Sequence, residues 1–200
     1  MKRYYFITIF TVASIAINYF CSYLAGLIAF PLYLDSIMTI AVSALCGLVP
    51  GILCAVASNF LLYIFANTGI LFTLCHISTA VVASLIFRVE QKKCVQNASP
   101  LHENSGNAKP TDFSYSTESF MWIGFIAAIT NSVGDTISYF FYSANTTIPQ
   151  VDNAVQGIYV VTKNLSFAAY FGGTVTNLID KVFSATVSLF VYRAARKISV

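Results

Sequence analysis

The sequence predicts an all-α membrane protein: six transmembrane helices in one bundle, with N and C termini cytoplasmic. Three observations carry that expectation. Charge is scarce, with 11 Lys or Arg and 8 Asp or Glu in 200 residues, or 10%, against about 25% in ordinary soluble domains. Hydrophobic residues make up 57%, and mean hydropathy is +0.72. No charged residue interrupts Tyr4 to Leu34 or Ser36 to Phe87. This composition excludes a soluble globular enzyme, a disordered regulator and a nucleic-acid binder. The length suits a single domain, 1–200.

A span needs about 20 apolar residues to cross about 30 Å of hydrocarbon, and lipid offers the backbone no hydrogen-bond partner. Barrel strands would alternate in polarity, and Ile40 to Val49 does not. The first span, 4–29, follows Lys2 and Arg3. Its basic start and apolar core resemble a leader peptide. The run is too long for one and lacks a small-residue cleavage site, so it reads as a retained span. Pro31 precedes the second span, 33–48. Gly47, Pro50 and Gly51 mark a sharp turn before the third, 51–66. Asn67, Thr68 and Gly69 break the chain before the fourth, 69–87. Spans two and three reach only about 24 Å each by helical rise, so they either cross or form a re-entrant hairpin. The charged, Gly-, Pro-, Ser- and Asn-containing stretch 88–118 reads as a solvated cytoplasmic loop. The fifth span covers 119–141 and the sixth 164–192. The polar segment between them carries Ile158 to Val161, which suit packing over the bundle.

Basic residues in short loops stay cytoplasmic. Lys2 and Arg3 precede span one. Arg88, Lys92, Lys93 and Lys109 follow span four, and Arg193, Arg196 and Lys197 follow span six. An even number of spans puts all three groups on one side. Lys163 then lies outside, and Lys181 lies within span six.

Ionisable residues inside spans are rare and usually functional. With this topology Asp180 and Lys181 lie about 11 Å below the outer edge at 1.5 Å per residue. Asn59, His76, Asn131 and Asp135 fall within about two turns of the outer ends of their spans, and Asp35 starts span two. These groups therefore share one depth, over largely apolar inner halves. That pattern predicts a pocket open outward and closed below, whereas a channel or proton relay carries polar groups across the full thickness. Spacing supports it. Thr174, Asn177, Lys181, Ser184 and Ser188 form one stripe, Thr176 and Asp180 a neighbouring row, and Asn131, Asp135 and Ser138 another face. The alternative use of such groups is to bond helix to helix. Lys181 has Asp135 or Asp35 as partners. Asp180, about 100° away around the same helix, is the poorer one. His76, on an otherwise apolar face, suits a satisfied hydrogen-bonding role or a ligand contact.

Phe30-Pro31-Leu32-Tyr33-Leu34-Asp35-Ser36-Ile37, continuing to Gly47-Leu48-Val49-Pro50-Gly51 and Ser58-Asn59, resembles the substrate-binding (S) components of energy-coupling factor (ECF) transporters. So does Gly172-Gly173-Thr174-Val175-Thr176-Asn177-Leu178-Ile179-Asp180-Lys181. The motif support covers about 30–60 and 172–192, and the length, span count and orientation fit throughout. The resemblance implies a six-helix protein of the cell membrane that binds a vitamin or similar micronutrient near its outer face. It implies a transmembrane coupling subunit and two cytoplasmic ATPases as partners. It also implies no hydrolysis by this subunit, which agrees with the lack of a Gly-x-x-x-x-Gly-Lys-Ser/Thr phosphate loop. The family's Ala-x-x-x-Ala in the first span has its spacing here only in Ala25 and Ala29, near the outer end. Ala13 and Ala16 are spaced otherwise.

The expectation is a membrane substrate-binding subunit for vitamin-like uptake, with no enzyme activity and no cofactor. Asp35, Asn59, His76, Asn131, Asp135, Asn177, Asp180 and Lys181 line its site, hydrogen-bond a polar heterocycle and match its charge, with aromatic rings stacking on it. Three Asp against one Lys favour a cationic or donor-rich solute. The rivals are a sensory module working through a partner and a stand-alone secondary carrier. Cys21, Cys46, Cys54, Cys75 and Cys94 show no metal spacing and behave as small apolar residues. Asn145-Thr146-Thr147 fits a glycosylation pattern that recurs by chance. Tyr33, Tyr139 and Trp122 suit the pocket or the membrane boundary.

Overall fold

The computed structural model describes residues 2–98 and 115–199, which form helices and no strand. In chain order these are α1 (Lys2–Leu27), α2 (Ile37–Cys46), α3 (Leu48–Ala66), a 3₁₀ turn (Ile70–Phe72), α4 (Thr73–Ala98), α5 (Thr117–Asn131), α6 (Val133–Phe141), α7 (Pro149–Thr162) and α8 (Leu165–Ser199). Among the described residues, five stretches are long and apolar enough to cross a membrane: Arg3–Leu27, Leu48–Ala66, Ile70–Lys93, Thr117–Phe141 and Leu165–Ile198. The chain is a membrane-embedded helical protein.

The second expected span is shorter than 33–48. Residues Tyr33 and Leu34 are not helical, because their N–H groups bond the Asp180 carboxylate at 3.0 and 2.8 Å. Leu34 also adopts φ 49°, outside the helical region. What remains, Ile37–Cys46, rises about 15 Å, half the hydrocarbon thickness. It packs against α1, α3, α4 and α8, and Ile37 to Ser43 are all buried. A helix enclosed on every side is apolar all round. Gly47, at φ 90°, joins it directly to α3, in a backbone conformation that glycine adopts readily and L side chains rarely do. Pro50 falls in the first turn of α3, where its missing N–H breaks no helical bond, so α3 starts at Leu48 and not at 51.

Two other boundaries move. Arg88 to Ala98, expected in a loop, continue α4, since Glu90, Gln91 and Lys92 are good helix formers. Residues 99–114 of that loop, with Lys109, lie outside the described residues, and its last two, Thr117 and Glu118, begin α5. The segment before span six holds a helix, α7. Pro149 opens it, and Lys163 at φ 55° ends it. Val155 of α7 packs on Ala168 and Ala169 of α8.

α8 packs most extensively on α5, with α2, α6 and α7 also against it. The half of the bundle nearer the termini closes on Ile40, Ala83, Phe87, Phe120, Ile123, Ala185, Leu189 and Tyr192. The opposite, distal half holds the connections α1–α2, α3–α4, α6–α7 and α7–α8.

Candidate functional site

The distal half encloses a cavity. Seven of the eight residues singled out from the sequence line it: Asp35, Asn59, His76, Asn131, Asp135, Asn177 and Lys181. They come from the α1–α2 connection, α3, α4, α5, α6 and α8, so the shared depth expected from spacing is matched by a shared space. The eighth, Asp180, does not line it. Tyr33, Leu62, Thr68, Phe72, Cys75, Gly134, Thr146 and Ile148 complete the wall. The cavity volume is about 50 Å³, room for a few waters at roughly 10–15 Å³ each, so the chamber is compact.

Its floor is an ion cluster. Lys181 Nζ donates to Asp180 Oδ2 at 2.7 Å, Ser36 Oγ at 2.9 Å and Asp35 Oδ1 at 3.2 Å. His76 Nε2 meets Asp35 Oδ2 at 3.2 Å. Lys181 is 3% exposed and Asp180 0%. This corrects the expected pairing. Asp35 is a partner as expected, at 3.2 Å, but Asp180 is the nearer acid, and among the described residues Asp135 joins no ion pair. The Lys side chain is long enough to fold back along its own helix, and Asp180 is held in place by the two backbone N–H groups it accepts. Asp180 thus positions Lys181 and the Tyr33–Leu34 backbone from behind the wall. Lys181 Nζ also lies 5.7 Å from the Tyr33 ring centroid, within cation–π reach.

The start of α2 faces this cluster. Ser36 occupies its cap position, but its hydroxyl is taken by Lys181 and caps nothing. The orphan N–H of Met38 is instead accepted by Asn18 Oδ1 from α1 at 2.9 Å. Asn18 Nδ2 donates to Thr39 Oγ1 and Ser58 Oγ. Sequence reasoning missed Asn18, although a carboxamide in an apolar run was the available signal.

The wall opposite is built on a broken span. α5 ends at Asn131 and α6 starts at Val133, with i→i−3 bonds from Ser132 N to Ile129 O and from Asp135 N to Ser132 O. Backbone irregularity at membrane depth is tolerated where it lines a cavity. The break presents Asn131, Gly134 and Asp135 together. Asn131 is fixed by Ser78 Oγ at 2.7 Å and Thr79 Oγ1 at 3.2 Å. Asn59 donates to Thr73 Oγ1 at 2.5 Å. Asp135 accepts from Thr174 Oγ1 at 3.1 Å and Asn177 Nδ2 at 3.3 Å. Gly173 makes room for it, since a Cβ there would sit 2.6 Å from Asp135 Cγ. The α8 rows face inward as spacing predicts, with Thr176, Asn177, Asp180, Lys181, Ser184 and Ser188 buried. Thr174 is exposed, yet still reaches Asp135.

The roof comes from the α6–α7 connection. Asp152 Oδ1 accepts from Thr146 N at 2.6 Å and Thr146 Oγ1 at 2.8 Å, and Gly69 N donates to Thr147 Oγ1 at 2.9 Å. Burial raises the pKa of the Asp152 carboxyl above its ordinary value, while the bonds from Thr146 pull it down. Thr146 and Thr147, met in the sequence only as a glycosylation pattern, are roof residues. Ala29, Leu34, Asn67, Ser143, Ala144, Thr147 and Lys163 have positive φ, and all lie in connections of the distal half. Backbone held in such conformations clusters at functional sites.

Of the aromatic residues considered, Tyr33 lines the cavity. Tyr139 packs beside α7 and bonds Ser166, and Trp122 is half exposed on α5, bonded to Glu118. Among the described residues no three His, Cys, Asp or Glu side chains gather as a metal site. The arrangement suits binding: fixed donors and acceptors around a small space, shielded from bulk water. No family model matches the chain, and neither a curated protein nor a solved structure matches it.

Proposed function

We propose that this chain is the membrane-embedded substrate-binding subunit of an ECF-type transporter. It captures a polar, vitamin-like small molecule at the outer face of the cell membrane and carries out no catalytic step. A transmembrane coupling subunit and two cytoplasmic ATPases complete the assembly. The observation that carries the reading is the cavity, where seven polar or charged side chains from six parts of the fold meet, with the apolar Phe87–Phe120–Tyr192 core in the other half of the bundle. A chamber with its polar groups gathered in one half of the bundle suits capture by the whole subunit better than passage through it.

In this reading the chain crosses six times, with α2 completing its crossing through the non-helical residues before it. Both termini are cytoplasmic. Arg3, Arg88, Lys92, Lys93, Arg193, Arg196 and Lys197 flank the end away from the cavity, which agrees with the positive-inside rule. Capture of a ring-sized solute needs the Thr146–Ile148 roof to lift from Gly69, because the chamber as it stands is compact.

The test is purification in mild detergent, with proteomics on the partners and mass spectrometry on retained small molecules. Co-purifying ATPases and ATP-dependent uptake in vesicles are expected. A co-purifying kinase with no uptake supports a sensor instead, and ion-driven uptake without ATP supports a secondary carrier. Asp135→Asn and Lys181→Ala are expected to lose the retained molecule, and wild-type occupancy in both removes the site assignment.

A further inference from the structure

Resting on that reading of the cavity, we infer that its solute carries a positively charged nitrogen seated on the Asp135 carboxylate. The argument starts from donors. An ammonium has three N–H bonds and no acceptor. Lys181 spends its three on Asp180, Ser36 and Asp35. It has none left for a carboxylate or phosphate on a solute. Among the described residues lining the cavity, no other Lys or Arg is present. An anionic solute therefore meets no Lys or Arg with a donor to spare among these residues.

The acids are not balanced in the same way. Asp35 and Asp180 share Lys181, and Asp35 also has His76. Asp135 has only the neutral donors Thr174 and Asn177. It is 3% exposed, and among the described residues no cationic group lies within 4 Å of it. A buried carboxylate without a cation is costly, and a cation supplied by a ligand relieves that cost. The cavity opens onto this side chain.

A second observation points the same way. His76 is 6% exposed, and its Nδ1 is buried with no hydrogen-bond partner. In its neutral form, with Nε2–H donating to Asp35, the imidazole leaves Nδ1 as an acceptor. In that form both groups on the wall take donors. Phe72, stacked on Tyr142 at 5.4 Å between ring centroids, adds an aromatic surface suited to a cation. A compact solute with a protonated amine or ring nitrogen meets all three demands.

The test uses the full chain in mild detergent and a small-molecule extract of the expressing cells. Ion exchange divides the extract into cationic, neutral and anionic fractions, and thermal unfolding is followed with each. The cationic fraction is expected to raise the midpoint. Asp135→Asn, verified as helical and monodisperse, is expected to need at least tenfold more of that fraction for the same rise. A rise with the neutral or anionic fraction alone overturns the cationic inference and leaves the capture reading standing. No rise with any fraction overturns both. An undiminished response of Asp135→Asn removes the cation from Asp135. The wild-type chain alone decides the charge class, so a variant that fails to fold does not shelter the inference.

Discussion

On α8, Lys181 sits among Asp35, Asp180 and Ser36, while about two turns further on Leu189 and Tyr192 close against the aromatic cluster of α4 and α5. One helix thus serves two kinds of structure. The distal half is held by directed bonds of fixed stoichiometry, such as three donors on one ammonium. Its connections bend through positive-φ residues, and the stretch Thr117–Phe141 is broken at Ser132. The terminal half is held by packed rings, with Phe87 centred 5.0 Å from Phe120 and 4.4 Å from Tyr115. In lipid, apolar contact has no hydrophobic advantage over the solvent, so this half depends on close fit. The difference teaches where selectivity resides. Rings tolerate one another in many arrangements, whereas under the proposed capture role a carboxylate with no ion-pair partner among the described residues is the group that discriminates among solutes.

The comparison breaks most readily at Lys181. Lys181→Met leaves Asp35 and Asp180 buried without their shared cation, an expected loss of about 3–5 kcal/mol in stability together with all solute capture. Denaturation in detergent, beside a retention assay, measures both, and an unchanged midpoint would show that the cluster does not hold the distal half. Phe87→Ala tests the other half. It removes the ring between Phe120 and Tyr115 and is expected to cost about 2–3 kcal/mol, the cavity part of a core truncation. Capture per folded molecule should stay at the wild-type level; its loss would mean that the two halves are not separable.

Gly173→Ala sharpens the contrast within the distal half. The new methyl displaces the Asp135 carboxylate, for about 1–3 kcal/mol of overpacking. Retention should fall by a larger factor than stability explains, and equal losses in the two assays would count against a binding role for Asp135. The smallest effect is expected at Asn18→Leu. Met38 N–H loses its acceptor, for about 1 kcal/mol, with capture intact. A retention assay that responds more strongly to this variant than to Gly173→Ala would place the site on the wrong side of α2.

Much of this was legible beforehand because helical periodicity is local. The inward rows of α8, Thr176 with Asp180 and Asn177 with Lys181, follow from spacing alone, as does the face shared by Asn131, Asp135 and Ser138. Depth along each span was readable too, because charge-free runs have ends. What failed was reach. Spacing around a helix described the angle between Asp180 and Lys181, but not the flexible Lys stem that folds back to close 2.7 Å. It also missed the residues a connection contributes, such as Thr68, Thr146 and Ile148, since loops carry no period.

By itself, then, the sequence determined that the chain is a helical membrane protein, where its apolar stretches run, and which helix faces are polar. Only the tertiary structure decided that α2 is about half a span long, that Lys181 exhausts its donors on Asp180, Asp35 and Ser36, and that Asp135 has no ion-pair partner among the described residues. Composition and period act within one segment of chain. Partner choice depends on distances between segments, and the packing of all the helices together sets those.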